Sequence, residues 1–259
     1  QNRGVNDGMA INAQKDTLPL VTITDDKEKF SLKKLLAKQL KVKEDKILSY
    51  DLNLYSREKG CLLGANEEFI SVGRLDNLAA LHAELMSLVD NKDKKNTCVV
   101  VGYDNEEIGS NSIQGADSPT LKNILERISN AMKLSFEEHQ QALSNDAAHS
   151  IHPNYLEKSD PTNEPKINGG PVIKMAANKS YITDGYSKSV IEKIAKDSKI
   201  PIQTFVNRSD VRGGSTIGPI QQSQIRILGI DIGSPLLSMH SVRELGGVDD
   251  HYNLYRLIS

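Results

Sequence analysis

The sequence predicts an α/β protein in which helices flank a mixed β-sheet. Apolar runs rich in β-branched residues at 97–103, 170–176 and 224–232 indicate buried core strands. Apolar residues recur at helical spacing in residues 75–89, 118–132 and 187–198, which indicates helices. Strands that alternate with helices of roughly ten to fifteen residues are typical of a sheet covered by helices on both faces.

The N-terminal residues 1–64 differ in composition from the rest of the chain and are rich in lysine. Ser31 is expected to cap a helix whose apolar residues fall at positions 32, 35, 36 and 40. Residues 47–55 alternate apolar and polar side chains, which predicts a half-buried strand paired with residues 60–63. Farther along, the helix at 75–89 is expected to carry Leu78, Leu81, Leu85 and Leu88 on one face.

Composition narrows the class of protein. With a net charge of −2 over 259 residues, we expect neither a nucleic acid nor a membrane as partner. No apolar window reaches the roughly 18–20 residues of a membrane span, and residues 1–12 do not resemble a signal peptide. Cys61 and Cys98 have no metal-like spacing, so buried or reduced thiols in a cytoplasmic protein are expected.

Side chains able to bind metal follow several predicted strands and turns. The motifs and their candidate residues are RLDN with Asp76, DNEEIGS with Glu106 and Glu107, DAAHSIHPNY with Asp146 and His149, and MHSVRE with His240. In open α/β sheets, binding sites lie at strand ends. Taken singly, each motif has a simpler explanation: Asp76 as a helix N-cap, for example, or the acidic loop as a solvated surface.

Taken together, the carboxylates and the imidazole match the ligands of a site for two zinc ions. Two such ions, about 3.5–4 Å apart, activate a water and polarise a carbonyl. A further carboxylate must then accept the proton of the water and pass it to the leaving amine. Glu106 and Glu107 could divide these roles, one as base and one as ligand.

These motifs, together with GPVIK and GSTIGPI, resemble in order and spacing the M18 family of metallo-aminopeptidases, which includes aspartyl aminopeptidase and the vacuolar aminopeptidase I type. The resemblance is strong over residues 66–259. It implies a dinuclear zinc exopeptidase-like fold with part of an inserted dimerisation lobe. Residues 1–64 would be the trailing part of that lobe, and residues 65–259 the C-terminal part of the catalytic domain. It also implies a homo-oligomer, a dimer-based dodecamer.

The resemblance also implies residue roles. Asp76 would bridge two Zn²⁺ ions, Glu107 and Asp146 would each bind one of them, and His240 would be the remaining imidazole ligand. Glu106 would be the general base. His149, Lys174 and Tyr181 match family positions that contact substrate. The implied activity is removal of N-terminal residues from peptides, with Co²⁺ or Mn²⁺ as possible replacements for zinc.

Two questions stay open at this point. Lys174 would suit an acidic N-terminal residue, but neutral residues are also used in the family. The family also carries an upstream His ligand in an HxD pattern, whereas the first histidine here is His82. We therefore expect a truncated chain, and an inactive fragment or an assembly or cargo scaffold of the same fold is the alternative function. His82, His139 and His251 are expected to be structural or exposed.

Overall fold

The structure is a computed structural model that describes residue 8 and residues 10–25, 29–92, 95–135 and 141–259. Backbone contacts divide the chain into two units, Gln1–Tyr55 and Ser56–Ser259. The assignment of residues 1–64 to a dimerisation lobe and of residues 65–259 to a catalytic domain stays a prediction. None of the described helices is long and apolar enough to cross a lipid bilayer.

The first unit contains one α-helix among its described residues, α1 at Leu32–Leu40. The predicted cap is confirmed, because the Ser31 hydroxyl accepts a hydrogen bond from the backbone N–H of Lys34. The strand predicted at 47–55 is wrong: these residues, all described, run without a strand partner. Alternating polarity leads to a β-strand only where a neighbouring strand completes the ladder of backbone hydrogen bonds.

The second unit contains nine strands and five α-helices among its described residues. The strands are β1 (Cys61–Leu63), β2 (Phe69–Val72), β3 (Gln141–Asn145), β4 (Ala148–His149), β5 (Val172–Met175), β6 (Gln203–Val206), β7 (Leu228–Gly233), β8 (Pro235–Leu237) and β9 (Glu244–Gly247). The helices are α2 (Leu75–Asp90), α3 (Thr120–Met132), α4 (Gly185–Asp197), α5 (Gly218–Ile225) and α6 (Val248–Ile258).

The strands form two mixed sheets. One has the order β1-β2-β9-β8-β4 and the other the order β3-β7-β5-β6. The first is antiparallel except for the β4–β8 pair, and the second is parallel except for the β5–β7 pair. The predicted α/β class with mixed sheets and flanking helices is confirmed. β1 pairs with β2, so the pairing predicted between residues 47–55 and 60–63 is wrong.

Two parallel chain segments pass from one sheet into the other side by side. β3 continues into β4, and β7 continues into β8, with Asn145 opposite Ile232 and Ala148 opposite Pro235. Asp146 lies in this crossing, and its N–H donates to the carbonyl of Ile232 over 2.9 Å. Gly233 is required here because a β-carbon at that position would lie 1.9 Å from the carbonyl oxygen of Asp146.

The hydrophobic core lies between the four-stranded sheet and the helices. Its fully buried members include Ile173 of β5, Ile232 of β7 and Leu254 of α6. α2 faces this core through small residues, with Ala80, Ala83 and Ser87 buried. Of the four leucines predicted to share one face of α2, three are exposed, namely Leu78, Leu85 and Leu88. Small side chains allow α2 and α6 to approach closely.

Most of the remaining predicted elements are confirmed. The helices expected at 75–89, 118–132 and 187–198 correspond to α2, α3 and α4, and the strand at 170–176 corresponds to β5. The strand predicted at 224–232 begins later, at Leu228, because Gln224 and Ile225 end α5. The strand predicted at 97–103 is wrong, since no described strand pairs with this run and Val99 is exposed.

Candidate metal centre

Three of the four predicted metal ligands converge at one point. The Nε2 atom of His240 lies 3.0 Å from Oδ2 of Asp76 and 3.0 Å from Oε2 of Glu107. The three ligand atoms all lie within 4.8 Å of one another. In a tetrahedral zinc site, bonds of about 2.0–2.2 Å place ligand atoms about 3.3–3.6 Å apart. The spacing of these side chains therefore fits a single small divalent ion.

Two tight turns bring Asp76 and His240 together. Asp76 follows β2 through Gly73 and Arg74, and His240 lies in the turn between β8 and β9. A β-carbon on Gly73 would lie 2.7 Å from the carbonyl oxygen of Val242, so only glycine allows this approach of the two turns. Arg74 occupies the N-cap position of α2, and the Asp76 side chain faces His240.

The surroundings of Asp76 favour a cation. Burial, and then the charges of Asp146 and Glu107, raise the pKa of the Asp76 carboxyl to about 8. Its Oδ1 atom is buried and has no hydrogen-bond partner among the described residues. Carboxylates that repel one another and a buried oxygen without a partner are costly unless a positive ion neutralises them. Two carboxylates and an imidazole are a donor set that zinc accepts.

Asp146, the fourth predicted ligand, lies near enough to Asp76 for its charge to raise the Asp76 pKa, and it is paired with Lys174. The Nζ atom of Lys174 lies 2.8 Å from Oδ2 of Asp146, 3.3 Å from the Asp146 carbonyl and 2.9 Å from the Ala147 carbonyl. An ammonium group has three donors, and these three acceptors match them. Lys174 is 3 % exposed and therefore buried, whereas the side chain of Asp146 is 23 % exposed.

Glu106 and Glu107 lie in a 3₁₀ turn, Glu106–Ile108, that follows Asn105 in a left-handed conformation with φ of 69°. Burial raises the pKa of Glu106, and the charges of Asp146 and Glu107 raise it further, while Lys174 and His240 lower it. The pKa of Glu106 therefore depends on the charges of Glu107 and His240 as well as on the Asp146–Lys174 pair. A carboxyl with a raised pKa is a better proton acceptor near neutral pH than an ordinary glutamate.

Comparison with known proteins identifies the family. The profile described as "Aminopeptidase I zinc metalloprotease (M18)" matches residues 2–259. The chain belongs to the M18 family.

M18 relatives share both sequence and fold with the chain. "Probable M18 family aminopeptidase 2" of Clostridium novyi (strain NT) is 50% identical over 259 residues, covering 97% of this chain and 60% of that protein. The structure "Cryo-EM structure of the Ape4 and Nbr1 complex" is 35% identical with a TM-score of 0.90, covering 99% of this chain and 55% of the other. "Structure of S. cerevisiae mApe1 dodecamer" is 28% identical with a TM-score of 0.77, covering 88% and 53%. The chain thus spans about 60% of the length of the curated M18 relatives it matches.

The remaining residues predicted for this M18 site form an aromatic wall beside Lys174. Nζ of Lys174 lies 5.0 Å from the centre of the Tyr181 ring, and that ring meets Phe205 edge to face at 6.5 Å. The His149 ring is 6.3 Å from Phe205. Burial lowers the pKa of His149, as do the charges of Lys174 and His240, although Asp146 opposes them. Sequence reasoning missed Phe205, whose pairing with Lys174 across β5 and β6 depends on strand register.

The other histidines and the cysteines take no part in the metal cluster found among the described residues. His82 and His251 contact each other, with Nδ1 and Nε2 3.0 Å apart, and His139 lies outside the described residues. Cys61 and Cys98 are free thiols, and both are exposed rather than buried. A second residue that the sequence did not reveal is Glu244, whose buried carboxylate lies directly behind Asp76 and His240.

Proposed function

We propose that the protein carrying this sequence is a zinc-dependent aminopeptidase that hydrolyses N-terminal residues from peptides. The observation that carries the proposal is the meeting of Asp76, Glu107 and His240 around one point, with Asp146 and Glu106 beside it. Membership of the M18 family, whose description names a zinc metalloprotease, supports the same activity.

In this proposal, Asp76, Glu107 and His240 would hold one ion, and Asp146 would share Asp76 with a second. When bound, zinc supplies Lewis-acid polarisation of the substrate carbonyl and makes water more acidic. Co²⁺ or Mn²⁺ would be alternatives, because carboxylate-rich sites accept several divalent ions. The negative charges around the buried Oδ1 atom of Asp76 support a site for more than one positive charge.

Glu106 would act as the general base and then the general acid. Its carboxylate accepts a proton from the attacking water and returns it to the leaving amine, which departs neutral. The raised pKa of Glu106 supports this exchange at neutral pH. Tyr181, His149 and Phe205 would form one side of the substrate pocket, and Lys174 would fix Asp146 from behind.

An inactive scaffold is the second candidate function, and one observation favours it. Among the described residues Asp146 belongs to no further group of three ligating side chains, and its carboxylate is paired with Lys174. The second ion would therefore need a ligand beyond those grouped here. The presence of both Glu106 and Glu107 favours the enzyme, because a scaffold has no use for a base next to a ligand.

Assembly into a dimer-based dodecamer belongs to the same proposal. It is supported by the similarity to the S. cerevisiae mApe1 dodecamer. Peptides would be the substrates, with an acidic or a neutral N-terminal residue.

The test is an assay of the full-length protein on Asp-, Glu-, Leu- and Lys-arylamides after chelation and reloading with Zn²⁺, Co²⁺ or Mn²⁺. We expect hydrolysis that chelation abolishes and a metal restores. Absence of hydrolysis with all three metals and all four substrates, in a folded and metal-loaded protein, would favour the scaffold. Light scattering during the same purification tests the dodecamer.

A further inference from the structure

Glu244 is a buried carboxylate at the point where two loops leave the five-stranded sheet. It is the first residue of β9 and only 2 % exposed. Its register partner is Val72, the last residue of β2. The loop from Val72 leads to Asp76, and the turn that ends at Glu244 carries His240.

Both oxygens of Glu244 accept hydrogen bonds from backbone N–H groups of these two loops. Oε2 accepts from the N–H of Asp76 over 2.9 Å, and Oε1 accepts from the N–H of His240 over 2.8 Å. The two donors belong to the very residues whose side chains meet at the metal centre. One carboxylate therefore ties together two backbone segments that are 164 residues apart in the chain.

The chemistry of this contact requires a carboxylate of this length. A glutamine has one acceptor oxygen, and its amide group would point a donor at one of the two N–H groups. An aspartate is one methylene shorter and cannot reach both loops from the same backbone position. Hydrogen bonds to an ionised acceptor are stronger than those to a neutral one, so a carboxylate at this position holds the two loops together more strongly than an amide would.

We propose that Glu244 is a positioning residue that sets the distance between the Asp76 and His240 ligands. This inference rests on the proposed function, because it assumes that the two side chains bind one metal ion. Groups that orient metal ligands from behind typically change metal affinity 10–100-fold when they are removed. Glu244 acts on the backbone of two ligands at once, which fixes their separation as well as their direction.

The chain offers a matched control in Asp250. This carboxylate is fully buried, and it accepts backbone N–H groups from Gly170 at Oδ1 and Asn168 at Oδ2 over 2.8 and 2.6 Å. Its hydrogen bonds go to neither Asp76, Glu107 nor His240. Asp250→Asn therefore removes the same kind of contact without touching the metal centre.

The experiment measures the affinity of the full-length protein for ZnCl₂ alone by competition with a chromophoric chelator. For Glu244→Gln we expect an affinity at least 10-fold weaker, together with a changed visible spectrum after loading with Co²⁺. For Asp250→Asn we expect an affinity within about twofold of the unaltered chain and an unchanged Co²⁺ spectrum, even if both variants lose similar thermal stability.

Each outcome is decisive. If the unaltered full-length protein binds no zinc, the proposed function fails at this site. If it binds zinc and Glu244→Gln binds equally well, or if Asp250→Asn weakens binding as much, the positioning role is overturned. Should Glu244→Gln lack a native circular dichroism spectrum, Glu244→Asp replaces it. That variant keeps the charge, and we expect at least a threefold loss of affinity; no loss would overturn the inference.

Discussion

The Nε2 atom of His240 lies 3.0 Å from the Oδ2 atom of Asp76, although the two residues are 164 positions apart in the chain. Each stands on a turn next to the same sheet, one after β2 and the other between β8 and β9. The candidate metal centre thus depends on the pairing of β2 with β9, which brings the two turns to one edge.

Glu106→Gln should abolish turnover while leaving zinc content nearly unchanged. A general base typically contributes 10²–10⁴-fold to the rate, and the amide cannot accept the proton of water. The measurement is kcat on an arylamide together with zinc stoichiometry, both in the full-length protein. Loss of zinc in this variant would assign Glu106 to the ligands instead.

His240→Ala should lower zinc affinity, because it removes the imidazole from the centre formed with Asp76 and Glu107. His82→Ala is the matched control, since His82 contacts His251 and not the metal centre. Zinc titration of the chain and its two variants compares them directly. Equal zinc affinity in all three would remove His240 from the ligands.

Lys174→Met distinguishes two roles for this lysine. All three Nζ donors point to Asp146 and Ala147, so we expect the variant to lose metal at the Asp146 side and to lose activity on every substrate alike. The measurement is metal content and KM for Asp- and Leu-arylamides. A rise in KM confined to the acidic substrate, with metal retained, would instead mean that Lys174 binds the substrate side chain.

Asp250 should make stability depend on pH. Burial raises the pKa of its carboxyl from 3.8 to about 6, so the folded state binds the proton more tightly than the unfolded state. This contribution, roughly 3 kcal/mol from a shift of about two pKa units, is fully present below pH 4 and is lost as the pH rises through 6.

Urea denaturation of the chain and of Asp250→Asn between pH 4 and 8 measures this effect. The difference between the two free energies of unfolding should change mainly between pH 4 and 6, because the amide does not titrate. A difference independent of pH would show that the Asp250 pKa is unperturbed by folding.

Gly233→Ala should destabilise the crossing between the sheets. The new β-carbon would lie 1.9 Å from the carbonyl oxygen of Asp146, a backbone atom that can move only with its strand. We expect a loss of about 1–3 kcal/mol and weaker zinc binding. Gly185→Ala is the control, since no atom lies within 4 Å of its added β-carbon at the start of α4. Equal stability of the two variants would contradict the expected clash.

The sequence predicted side-chain chemistry better than strand pairing. Asp76, Glu107 and His240, whose side chains meet in space, could be proposed as ligands because metal-binding residue types follow strand ends and turns in an order that resembles the M18 family. The strands at 47–55 and 97–103 were predicted wrongly because a strand exists only through its neighbours, and local polarity does not reveal them. Glu244 was missed for a related reason: its partners are backbone N–H groups, which leave no signature in residue types.

The paired passage of β3 into β4 and of β7 into β8 ties the candidate metal centre to the junction of the two sheets. Asp146 sits in that junction, whereas Asp76 and His240 flank the five-stranded sheet alone. Any substitution that tilts one sheet against the other, however remote, would alter how far Asp146 stands from Asp76. The affinity for a divalent metal ion should therefore report any substitution that disturbs the junction of the two sheets.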